Sequence, residues 1–198
     1  MNIRASWWEK YKSYILYAVF LIIPIFVMDS YFSSGKITYV WNPDGWGQHY
    51  VAMQYIRDCQ LKIVNGIANG KLFQIPHFWY TLGQGADPLT TLNAYDFLDP
   101  ICWISVALFP NRLTRSYKLM IWVKIFLSGE AFCLYSNYIR KADGWRTAMG
   151  GLLYSFFNME YFFYFPNFMH GCYLFPVILW AIEILMKENR KAPLVVVT

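Results

Sequence analysis

Charge is what this sequence has least of. Only 15% of its 198 residues are Asp, Glu, Lys or Arg, against about 25% in an average soluble domain. Set beside 57% hydrophobic and 21% aromatic residues, that scarcity excludes an ordinary soluble domain. No lysine-rich arm and no nucleic-acid motif occurs, so the sequence is read as having no nucleic acid partner. The four cysteines, Cys59, Cys102, Cys133 and Cys172, form no Cys-x-x-Cys pair, and the ligand spacing of a zinc site is missing. Cys133 and Cys172 lie in apolar runs, where a cysteine serves as a small hydrophobe. Gly83 and Gly85 permit a tight turn, but no lysine follows them and no strand leads into them as a phosphate loop requires.

What the sequence has is apolar runs of bilayer length. Its 16 Tyr, 16 Phe and 9 Trp suit segments that meet a membrane interface. Residues 1–12 carry Arg4, Lys10 and Lys12 around Trp7 and Trp8. The apolar run 13–32 follows, long enough to span at roughly 20 residues. A cleaved signal peptide also starts this way, but the small-residue cleavage pattern is poor and the aromatic flank suits an anchor. The positive start places the N-terminus in the cytoplasm. Pro24 is expected to kink the helix without breaking it.

Residues 33–118 are too polar to span and read as one large outer loop. Inside it, the apolar piece 101–110 is too short for an upright span. If it crossed, Arg140, Lys141 and Arg146 would lie outside, against the positive-inside rule, so it reads as re-entrant or interfacial. Three transmembrane helices fill 119–186: 119–139 ends at Arg140 and Lys141, 147–165 returns outward, and 172–186 runs in to Lys187. Residues 187–198 read as a cytoplasmic turn and the start of a further, truncated span, so the chain is expected to be a fragment. The fold class is an all-α polytopic membrane helix bundle whose outer loop carries an amphipathic surface helix.

The chemistry-bearing residues concentrate in that loop. N-P-D-G-W-G-Q-H-Y at 42–50 brings together Asp44, Gln48 and His49. Asp44 is placed to cap a helix over 45–65, or to act as an acid held at the membrane surface. Along 45–65, Tyr50, Met53, Ile56, Ile63 and Val64 share an apolar side, while Arg57, Asp58 and Lys62 offer a wetter one. A second polar cluster, 81–100, supplies Asp87, Asp96 and Asp99. Asp87-Pro88 and Asp99-Pro100 read as turn starts and helix caps. Asp96 and Asp99 could offer oxygens to a divalent metal such as Mg²⁺, but no ligand set is spelled out. Lys124 and Glu130 fall inside an apolar run, and intramembrane charges point to function. Six residues apart, they sit on different sides of a helix. Lys124 is expected to snorkel, and Glu130 to pair with another span or with a missing part of the protein.

Taken together, these segments resemble the start of the YfhO family of bacterial membrane proteins, grouped with the GT-C type glycosyltransferases. The resemblance rests on D-G-W-G-Q-H-Y at 44–50, L-G-Q-G-A-D at 82–87 and D-P-I-C-W-I-S-V-A-L-F-P at 99–110. It continues in K-I-F-L-S-G-E-A-F-C-L-Y at 124–135 and in the Asn167/His170 turn before L-F-P-V-I-L-W-A-I-E. It implies transfer of a sugar from a polyprenyl-phosphate donor to an envelope polymer such as a teichoic acid, outside the bacterial cell membrane. Asp44 matches the acid that such enzymes hold beside the attacking group. Arg57, Arg112, Arg115 and His170 are then the candidates to stabilise the leaving phosphate. Gln48 and His49 are candidates to orient sugar or phosphate, and Asp87, Asp96 and Asp99 lie on the same outer side. A non-catalytic carrier or flippase component that binds polyprenyl phosphate, or an inactive truncated fragment, are the alternatives.

Overall fold

The computed structural model describes residues 3–71, 78–83, 85–140, 144–157 and 159–197. The stretch around Pro76 and His77, and Lys141, lie outside the described residues, as does the side chain of Glu160. The described chain is all-α: its only extended pairing is the isolated bridge Trp79–Ala86. In chain order the helices are α1 (Ile3–Ser34), α2 (Tyr50–Ala68), α3 (Pro88–Leu92), α4 (Pro100–Leu108), α5 (Leu113–Ile139), α6 (Gly144–Phe157), α7 (Met159–Tyr164), α8 (His170–Glu188) and α9 (Ala192–Val197).

Three stretches are long and apolar enough to cross a bilayer: Trp7–Ser34, Leu113–Ile139 and Pro166–Glu188. The expected spans 13–32, 119–139 and 172–186 fall inside them. The expected span 147–165 corresponds to α6 and α7, which flank Asn158. The nine residues of α4 reach only roughly 14 Å, well short of the hydrocarbon core.

The chain divides into two compact units, 1–37 with 122–162 and 169–198, and 38–121 with 163–168. In the first unit α1 packs along α6. Tyr17 is fully buried and its hydroxyl donates to the Ile125 carbonyl at 2.9 Å. Asn137 Nδ2 donates to Ser13 Oγ at 2.7 Å, and Phe20 meets Trp145 edge to face. Lys124 does not snorkel as expected: it is completely buried and has interaction partners. Pro24 sits inside α1, which runs through it. Pro176 lies inside α8. It has no N–H to give the Cys172 carbonyl four residues back. Ser128 Oγ and Tyr154 Oη donate to that carbonyl instead, at 3.3 Å and 2.9 Å.

The second unit is organised by α2. Its buried residues are Ala52, Met53, Ile56, Cys59 and Ile63, and α4 packs on it, with Gln60 Nε2 donating to the Trp103 carbonyl at 2.8 Å. The predicted face is therefore correct at Met53, Ile56 and Ile63 and wrong at Val64, which is 61% exposed. Asn65 and Gly66 lie inside the helix, which carries through to Ala68. Asn69-Gly70 does end it, with Gly70 at φ +72. Both Asp-Pro expectations hold. Asp87 accepts from the Leu89 and Thr90 N–H groups and Asp99 from Ile101 N–H, each with Pro at the start of its helix. This is where a fixed φ and a missing donor cost least.

None of the four cysteines is in a disulfide. Burial pushes the Cys59 thiol up to about 11, against a downward pull from Lys62. Its thiolate is scarce at neutral pH, so N-ethylmaleimide is expected to spare Cys59 in the folded protein and modify it in SDS. Fast modification of the folded protein would mean that α2 opens from its neighbours. The unfolded chain releases this proton first, so the associated stability is complete below the ordinary thiol range and is lost as pH climbs toward 11.

Candidate functional site

The site is built on a wide helical turn. Gly45–His49 forms a single π-helical turn that leads directly into α2. Gly45 is required there: a Cβ would stand 2.8 Å from Trp41 Cδ1. Trp41 in turn is fixed by its indole N–H donating to the Tyr164 carbonyl. It also packs edge to face on Tyr164 and Phe165. Single π turns are frequent at functional sites.

Asp44 precedes this turn. The expected cap is not made: Asp44 has helical backbone angles (φ −71, ψ −33) and no side-chain cap bond. An N-cap residue needs extended backbone to bring its side chain over the first N–H groups, and the π turn denies it. The half-buried carboxylate instead accepts from Gln48 Nε2 at 3.1 Å. Gln48 Oε1 accepts from the Tyr95 hydroxyl at 2.7 Å. Tyr95 thus holds the Gln48 amide with its NH₂ toward Asp44 Oδ1. No other described group engages the Asp44 carboxylate.

Beside this open chain lies a closed one. His49 is 1% exposed, and its Nδ1 lies 2.6 Å from Asn167 Oδ1. Asn167, also 1% exposed, donates from Nδ2 to Asp96 Oδ2 at 2.9 Å. With the Asn167 NH₂ given to a carboxylate, its oxygen must face the imidazole, so Nδ1 of His49 carries a proton and donates. Tyr95, Phe165 and Phe168 surround the ring. Asp96 is buried in a left-handed turn at φ +65, a conformation aspartate tolerates better than most residues.

The structure brings Asp44 together with Gln48, and His49 together with Asp96 through Asn167. Asp87 and Asp99 are engaged as helix caps. The Asp96 and Asp99 carboxylates have oxygens within 4.8 Å of each other, close enough to share one Mg²⁺. Arg57 binds its neighbour Asp58 through Nε and Nη2, at 3.0 Å and 2.8 Å. Arg112 and Arg115 stand exposed around the start of α5. His170 opens α8 in the other unit, its ring against Tyr173. Tyr95 is not among the sequence candidates, and Asn167 stands there only in the turn that carries the family resemblance, without a role in the site. The composition adds one hint, a polar Asn inside the aromatic run F-P-N-F.

A family described as bacterial membrane protein YfhO matches residues 13–198 of this chain. No curated protein and no solved structure matches it.

Proposed function

The chain belongs to the YfhO family of bacterial membrane proteins, and on that footing we propose that it forms part of a membrane glycosyltransferase of the GT-C type. In this reading a sugar passes from a polyprenyl-phosphate donor to a hydroxyl of an envelope polymer, such as a teichoic acid, outside the cell membrane. Asp44 takes the hydroxyl proton. The hydroxyl oxygen forms a bond to the anomeric carbon, and the sugar–phosphate bond breaks with its electron pair on the lipid phosphate. A hydroxyl is a weak nucleophile, and a carboxylate within hydrogen-bond reach lowers that barrier.

The observation that carries the reading is that Asp44 is not a cap. Oδ1 is held by Gln48, itself held by Tyr95, and the rest of the carboxylate is left to meet a substrate. His49, Asn167 and Asp96 hold the turn from below. Arg112 and Arg115, both exposed, are the cations we assign to the leaving phosphate, whose developing charge needs such partners. The residues that would hold a divalent ion, should the donor need one, are Asp96 and Asp99.

The test is transfer of labelled sugar from a polyprenyl-phosphate donor to a hydroxyl acceptor by the protein in vesicles. Transfer by the native chain that disappears in Asp44→Asn supports the reading. Binding of the lipid-linked sugar with no transfer by the native chain makes the protein a carrier component instead.

The same reading sets the orientation: N-terminus in the cytoplasm, Asp44 outside. Single cysteines at Gly47, Asn111 and Arg140, all exposed positions, report it in a background lacking the native four. A Cβ at Gly47 meets nothing within 4 Å. A membrane-impermeant maleimide on whole cells is expected to label 47 and 111 and to miss 140. Labelling at 140 alone would put Asp44 in the cytoplasm, away from any external acceptor.

A further inference from the structure

The first unit carries a groove that sugar transfer does not use. Its floor is one face of α5, Leu127, Glu130, Ala131 and Leu134, with Tyr14 of α1 and Val177 of α8 on its walls. Its volume is about 360 Å³. Among the described residues no hydrogen bond or ion pair engages the Glu130 carboxyl. Glu130 lies nine residues before the end of α5, roughly 14 Å along the helix axis and therefore within the hydrocarbon. Lys124 cannot answer it. Six residues away it points to another side, and it is completely buried among partners of its own.

Positions 127, 130, 131 and 134 repeat as i, i+3, i+4 and i+7. That is the ridge-and-groove surface on which a second helix packs. Ala131 at its centre lets a helix approach closely, as small residues do in membrane interfaces. An acid at this depth faces the interior of a bundle and pairs with a donor. We propose that this groove receives a transmembrane helix that presents a lysine or arginine to Glu130. A lipid tail would cover Leu127 and Leu134 but leave the carboxyl unanswered, and a lipid amine sits at headgroup depth, not this deep. A second copy of this chain does not fit through its exposed α1 run: between Val19 and Val27 that helix carries no cation, and Lys10 and Lys12 lie nearer its start. The proposal is independent of the transfer reaction.

The experiment uses the protein in phosphatidylcholine vesicles with a donor fluorophore on a single cysteine at Met186, which is exposed. The probe is a synthetic leucine-rich span of about 20 residues with one central lysine and an acceptor fluorophore; the control peptide has leucine in its place. Energy transfer is expected to show the lysine peptide associating about tenfold more tightly, a difference of roughly 1.4 kcal/mol. Glu130→Gln, nearly the same size, is expected to erase the preference. Leu127→Trp is expected to weaken association of the lysine peptide with Glu130 still in place, because it fills the groove. Circular dichroism of each variant checks that its helices are intact. Equal association of the two peptides overturns the proposal, as does a preference that survives Glu130→Gln. Displacement of neither peptide by decylamine supports a helix as occupant; displacement of both overturns it in favour of an amphiphile.

Discussion

Asp44→Asn is expected to lower sugar transfer by about 10²- to 10⁴-fold, the range in which loss of a positioned general base falls. The substitution is chosen to change little else. Asparagine keeps the shape of the side chain, and its oxygen still accepts from Gln48 Nε2, now 3.1 Å from Asp44 Oδ1. The Tyr95–Gln48 bond is untouched, and no helix cap is lost because none is made. What disappears is the capacity to take a proton as the acceptor oxygen attacks. The loss should therefore fall on kcat, with KM for the lipid-linked sugar nearly unchanged. A variant that transfers at the native rate would leave Asp44 with no part in the chemistry. One that loses affinity with kcat intact would make it a binding group.

Gly129→Ala is expected to be the most damaging small substitution in the first unit. A Cβ at this position would stand 2.1 Å from Tyr17 Cζ and 2.4 Å from its hydroxyl oxygen, where atoms cannot coexist. Tyr17 has no room to yield. It is fully buried, stacks beside Phe126, and donates its hydroxyl to the Ile125 carbonyl. One methyl must then push α1 away from α5. Overpacking of this kind costs about 1–3 kcal/mol and occasionally more, and the expected value is at the upper end, about 3 kcal/mol. Unfolding of the detergent-solubilised protein in SDS measures it. Tyr17→Leu in the same chain should restore part of the loss, giving a clear coupling in a double-mutant cycle. Gly47→Ala, made in open space, should sit within about 0.5 kcal/mol of native. Native stability in Gly129→Ala would show that α1 and α5 do not approach as described.

What could be read in the sequence, and what could not, follows the range of the forces involved. Asp87 and Asp99 were legible as caps because an Asp-Pro pair carries its own signal within two residues. The long apolar runs were legible because twenty apolar residues have few other uses. The buried side of α2 was read correctly at Met53, Ile56 and Ile63 but not at Val64. One residue along a helix turns by about 100°, so a short amphipathic face loses a neighbour to solvent easily. For Asp44 the local pattern, that of an ordinary helix start, leaves a cap and a surface acid equally open, and the cap is not made. The π turn comes from Trp41 pinned over Gly45 by the distant Tyr164 carbonyl. The pairing of His49 with Asn167 joins positions 118 residues apart, and nothing local announces it. Lys124 shows the same limit: its burial depends on which helices surround α5.

The carbonyl of Cys172 bears on how the protein is made. Threaded into lipid by itself, α8 would carry a bare acceptor near its start, because Pro176 has withdrawn the usual donor. Hydrocarbon cannot supply one. The two hydroxyls that can, Ser128 and Tyr154, belong to α5 and α6, which the ribosome completes earlier. The bonds that answer this carbonyl therefore form only where α8 meets α5 and α6. Through the proline, the seating of one span depends on the two spans before it.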